Sequence, residues 1–84
     1  MLKIIYFASL KDRIGRASEQ VEFPSGADTL EDLIQHLSAL HGDDWSTAIH
    51  SATILTAVNQ EMCERHVALK DGDEIAFFPP VTGG

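Results

Sequence analysis

Basic residues, cysteine and long apolar runs are all scarce in this 84-residue chain. Six Lys and Arg stand against 13 Asp and Glu, giving a formal charge of −7. Nucleic acid and anionic membrane are therefore poor partners, because phosphate-rich surfaces call for a basic counterpart. An acidic domain suits docking on a basic protein instead. The lone cysteine, Cys63, cannot close an internal disulfide, which fits a reducing, cytoplasmic setting. Glu61 and Glu64 beside it disfavour a thiolate, so Cys63 is not expected to act as a nucleophile. The histidines at 36, 41, 50 and 66 lack paired ligand spacing, and no metal site is expected. The opening Met1–Tyr6 turns polar too early for a secretory signal, and nothing is long enough to span a bilayer. Repeats and linkers are also missing, which leaves one small domain with a modest core.

The remaining pattern reads as alternating short elements. Leu2 to Ala8 is rich in β-branched and aromatic residues and predicts a strand. Ser9 is placed to cap a short helix that Gly15 ends, and Ala17 to Phe23 predicts a second, antiparallel strand. After the turn Pro24-Ser25-Gly26, the run Asp28-Thr29-Leu30-Glu31 has capping-box character. Leu30, Leu33, Ile34, Leu37 and Leu40 then follow at helical spacing, up to Gly42. Asp44 to His50 predicts a further short helix around Trp45 and Ile49. Thr53 to Asn59 predicts a strand, Met62 to Arg65 a brief return, and Glu74 to Phe78 a last strand after the turn Asp71-Gly72-Asp73. Strands around one good helix predict an α+β fold, a β-grasp of the ubiquitin-like kind, with a mixed sheet and the helix across one face.

Side-chain alternation assigns the faces of that sheet. Ile75 and Phe77 fall on the core side of the last strand, which turns Glu74 and Phe78 outward. In the first strand Leu2, Ile4 and Tyr6 point to the core, which turns Lys3, Ile5 and Phe7 outward. Phe7 and Phe78, with Met62 near the sheet edge, thus form a candidate partner interface. The acids Asp71, Asp73 and Glu74 form a solvated turn or meet basic groups on such a partner.

The domain is expected to span 1–78, with a flexible, projecting tail over 79–84. Within that tail Pro79 and Pro80 favour an extended path, Val81 and Thr82 continue it, and Gly83 and Gly84 offer the thinnest backbone available. Charged side chains are absent from Ile75 onward.

Ala57-Val58-Asn59-Gln60 and the run from Leu69 to Gly84, ending Phe77-Phe78-Pro79-Pro80-Val81-Thr82-Gly83-Gly84, resemble the small subunits of molybdopterin synthase. These are ubiquitin-like sulfur carriers of molybdenum-cofactor biosynthesis, and Tyr6-Phe7-Ala8, the helix start and the length match them too. The resemblance implies that an activating enzyme of the kind that adenylates ubiquitin uses ATP to adenylate Gly84. A sulfur-donor enzyme then converts the adenylate to a thiocarboxylate. The tail would enter the large subunit's active site and pass sulfur to cyclic pyranopterin monophosphate, two loaded carriers serving each dithiolene. The implied assembly is a heterotetramer, with two small subunits at the ends of a large-subunit dimer. The small subunit binds no cofactor and has no complete active site of its own. Phe7, Met62 and Phe78 match family positions that contact partner enzymes. Terminal chemistry alone leaves open a sulfur carrier for thiamine or tRNA thiolation, or a ubiquitin-like modifier of lysines.

Overall fold

A computed structural model describes residues 1–50 and 54–80. The elements run β1 (Leu2–Tyr6), α1 (Ala8–Ile14), β2 (Ser18–Val21), α2 (Leu30–His41), α3 (Asp43–Ile49), β3 (Leu55–Val58), β4 (Glu61–Cys63) and β5 (Glu74–Phe78). The strands form one sheet in the order β2-β1-β5-β3-β4. β1 and β5 lie side by side and parallel, and the other neighbours are antiparallel. This is the expected α+β, β-grasp arrangement, with first and last strands at the centre of a mixed sheet.

Alternation explains which face the helices cover. Leu2, Ile4 and Tyr6 of β1 and Ile75 and Phe77 of β5 are buried, and they pack with Leu30, Leu33, Ile34 and Leu37 of α2. Leu10 of α1 and Trp45, Ala48 and Ile49 of α3 complete the core. Phe77 lies at its centre, stacked on Tyr6 at 6.0 Å and edge-on to Trp45 at 6.1 Å between ring centroids.

α2 begins with a capping box. Thr29 Oγ1 accepts from the Asp32 N–H, and Asp32 accepts in turn from the N–H groups of Thr29 and Asp28. These donors hold the Asp32 carboxyl below its ordinary range, the Asp28 N–H contributing most. Leu40, expected inside, is 60% exposed. At about 100° per residue it lies roughly 70° from the centre of the stripe set by Leu30, Leu33, Ile34 and Leu37, whereas His41 lies within about 30°. His41 accordingly takes the inner position and rests against Trp45. Gly42 then adopts φ 91°, turning the chain directly into α3.

Ser9 does not cap α1. The N-cap position is Phe7, with no side-chain cap, and the helix starts one residue before Ser9. Phe7 N–H still donates to the Phe77 carbonyl, while the Phe7 carbonyl accepts from the Leu10 N–H. Phe7 therefore belongs half to the sheet and half to the helix. Ala8 makes the transition at φ 54°, a left-handed conformation that disfavours residues other than glycine. β5 spans Glu74–Phe78 as alternation suggested, while β1 and β4 end two residues earlier than expected. β2 is trimmed by one residue at its start and two at its end, β3 stops one residue short at Val58, and β4 begins one residue early, at Glu61. The expected start of β3 at Thr53 lies outside the described residues.

Candidate functional site

The outer face of the sheet is built by register. Ile5 pairs with Ala76, Ala76 with Ala57, and Ala57 with Met62. Residues paired in this way point the same way, so these four make an apolar row across β1, β5, β3 and β4. One step along, Leu55 pairs with Phe78, and Phe7 follows the end of β1. The two alanines keep the middle of the face low, between the aromatic pair on one side and Met62 on the other. Phe7 is 48% and Met62 61% exposed, and Leu55 is exposed as well. Apolar side chains clustered on one solvent face make this the candidate docking face.

Phe7 and Phe78 touch edge to face, their centroids 6.4 Å apart and their planes at 86°. Together with Ala8 and Pro79 they line a shallow apolar recess of 350 Å³. Pro79 and Pro80, both partly buried, lead away from it. The structure thus places Phe7, Phe78 and Met62 on one face, and brings Phe7 and Phe78 into contact. Met62 stands two strands and two residues along from Phe78, about 12 Å away on the sheet. Val81, Thr82, Gly83 and Gly84 lie outside the described residues. Sequence reasoning missed Ala8, Leu55 and Ala57 as parts of this surface. Alternation along Leu55–Val58 carried the signal for the last two, but the run Ile54-Leu55-Thr56-Ala57-Val58 is too uniformly apolar to show which side is wet.

The acids before β5 serve the fold. Asp71 pairs with the amino group of Met1, which holds its carboxyl below the ordinary range. Asp73 accepts from the Lys70 N–H and from Asn59 Nδ2, each at 2.8 Å. Asn59 and Gln60 both adopt left-handed conformations, φ 52° and 70°, in the tight β3–β4 hairpin. The Asn59 side chain also accepts from the Glu74 N–H at 3.0 Å, tying that hairpin to the start of β5.

On the opposite, helix-covered side, Glu19 gathers a polar network. Its carboxylate accepts from the Tyr6 hydroxyl at 2.7 Å, contacts His41 Nε2 at 3.0 Å and pairs with Arg16 at 3.4 Å. Burial, reinforced by the Glu19 bond, pushes the Tyr6 phenol far above its ordinary pKa. Among the described residues, no group of three His, Cys, Asp or Glu side chains is arranged to hold a metal ion. Nor is any described helix long and apolar enough to cross a membrane.

Residues 4–84 match the ThiS family. The chain belongs to that family. A curated relative, the molybdopterin synthase sulfur carrier subunit of Escherichia coli K12, is 42% identical over 86 aligned positions and 100% of both chains. The crystal structure of SAMP1 from Haloferax volcanii superposes with a TM-score of 0.74 at 28% identity, covering 99% of this chain and 98% of that one. A complex of subunits 1 and 2 of the molybdopterin-converting factor from Helicobacter pylori contains a chain of the same fold, at TM-score 0.67 and 23% identity, with 99% and 97% covered. Family membership agrees with the resemblance read from Leu69 to Gly84.

Proposed function

We propose that this ThiS-family protein is the sulfur-carrying small subunit of a molybdopterin synthase. The observation that carries the reading is full-length 42% identity to a molybdopterin synthase sulfur carrier subunit. Geometry supports it, because the exposed Phe7–Phe78 recess lies where the chain leaves β5 toward Gly84.

In this reading Gly84 supplies the reacting group. A carboxylate is a poor electrophile, so an activating enzyme couples it to ATP, releasing pyrophosphate and leaving a glycyl adenylate. A sulfur donor displaces AMP and leaves a thiocarboxylate, ionised and polarisable at neutral pH. The large subunit receives the tail, and the sulfur attacks cyclic pyranopterin monophosphate. Hydrolysis of the acyl–sulfur bond leaves the sulfur on the pterin and returns Gly84 as a carboxylate. Two loaded carriers complete one dithiolene, which suits a heterotetramer with a small subunit at each end of a large-subunit dimer. Pro79 and Pro80 limit the freedom lost when Val81, Thr82, Gly83 and Gly84 enter an active site. Phe7, Phe78 and Met62 hold the partner. ATP is spent by the activating enzyme, the carrier binds no cofactor, and the reaction belongs to the cytoplasm.

Intact-mass analysis after co-expression with the activating enzyme and a sulfur source tests the reading. The expected product differs from the unloaded chain by exchange of one oxygen for sulfur, and it converts the pterin when the large subunit is added. A chain extended beyond Gly84 that still loads untrimmed overturns the reading. Similarity to SAMP1, described in another solved structure as small archaeal modifier protein 1, favours a second reading as a protein modifier. Conjugates of this chain on lysines of other proteins would be its signature.

A further inference from the structure

We infer that Ala8 is a specificity-determining residue of the docking face: its small side chain keeps the Phe7–Phe78 recess open for an apolar side chain of the enzyme that takes the tail. The inference rests on the sulfur-carrier reading and concerns the large subunit as occupant. Ala8 combines two properties. It is a non-glycine residue at φ 54°, and it lines the 350 Å³ recess with Phe7, Phe78 and Pro79. Glycine, asparagine and aspartate would all meet the backbone requirement with less strain than alanine. The backbone therefore does not select alanine; the recess gives a reason for a side chain of this size. A left-handed residue found at a binding surface points toward function in the same way.

Covalent reach confines the occupant to an enzyme that works on Gly84, and the large subunit is the one that the heterotetramer of the sulfur-carrier reading keeps on this face. Four residues follow Pro80, and fully extended they span at most about 14 Å. An enzyme that encloses the Gly84 carbonyl must bring its surface within that distance of Pro80, and so over the adjoining Pro79–Phe78 recess. The recess is apolar and lined by the exposed Phe7 and the half-buried Phe78, so an aliphatic or aromatic side chain fits its chemistry. Phe7 points outward by the alternation of β1 and is the last residue the sheet holds before Ala8. Its N–H is held by the Phe77 carbonyl, and the left-handed turn at Ala8 then swings the chain away from the sheet into α1.

Calorimetric titration of the full chain with its cognate large subunit tests this, with melting temperature measured for each variant. Ala8→Leu fills the recess with apolar bulk, and Ala8→Asn puts a polar group there while tolerating the left-handed backbone. Both are expected to weaken binding at least tenfold while melting within a few degrees of the original. Ala8→Gly, which leaves the recess open, should bind within threefold. A purely structural role predicts the opposite order: melting temperature and affinity fall together, and Asn is affected less than Leu. If one variant fails to fold, the other decides. Folded Ala8→Leu or Ala8→Asn protein that binds within twofold of the original overturns the inference. Phe78→Ala separates it from the underlying reading: if that change also leaves affinity intact, the docking face itself is wrongly placed.

Discussion

Trp45 Nε1–H donates to the Tyr6 hydroxyl across 2.9 Å, linking α3 to the central strand β1. The same hydroxyl donates to Glu19, so it both accepts and donates, and three elements meet at one oxygen. Tyr6→Phe removes that oxygen while keeping the ring stacked on Phe77. The indole N–H, itself buried, then loses its partner, and a loss of about 1–3 kcal/mol is expected. Denaturant unfolding followed by Trp45 fluorescence measures it; an unchanged midpoint would remove the network from the list of stabilising contacts.

Tyr6 is the only tyrosine, so ultraviolet titration of tyrosinate reports on this site alone. Its folded pKa lies above the ordinary value of 10.0, and its neutral form is favoured by the fold. The associated stability is complete below pH 10 and declines as pH rises through the folded value. Tyrosinate should therefore appear in the native protein only well above pH 10, and around pH 10 in the unfolded chain. Coincident curves for the two states would contradict the arrangement.

The start of α2 has the opposite pH dependence. Asp32 is held below its ordinary value, so its contribution is present above about pH 4 and is lost as pH falls through the lower, folded value. Asp32→Asn should flatten the acid limb of the stability profile, and Thr29→Ala should cost about 1 kcal/mol at neutral pH. Thermal melts of the two variants between neutral and acid pH check both statements.

Asn59→Ala is expected to cost more than a surface substitution. It removes bonds to Asp73 and Glu74 and leaves alanine in a left-handed hairpin position. A loss of about 1–3 kcal/mol is expected. Hydrogen exchange should show the early opening of β4 and of the start of β5, with α2 unaffected.

Much of this was legible because alternation is strong where one face is wet and the other dry. Lys3 beside Leu2 and Ile4, and Glu74 beside Ile75, fixed the faces of β1 and β5 and through them Phe7 and Phe78. The start of α2 was legible from Thr29 and its neighbours. Other features depend on geometry that residue types do not show. The first helix begins at Ala8 because the sheet holds Phe7, not because Ser9 caps it. Leu40 sits at the margin of a stripe that His41 enters in its place, and a polar residue at an inner position shows its reason only once Glu19 and Trp45 are seen around it. Leu55 and Ala57 were hidden inside a run with no charge to mark its wet side.

The parallel pairing of β1 with β5 has a practical meaning. Lys3 lies beside Glu74 and Tyr6 beside Phe77, so both strands point the same way and the molecule has two poles about 13 Å apart along them. Met1 is clasped by Asp71 and Gly72 at one pole, and Pro79 departs from the other. A fluorophore or surface anchor attached through the amino group gives up the Asp71 contact but stays clear of the recess. Attached that way, the protein can be immobilised with its tail pole facing solution, ready for any enzyme added to it.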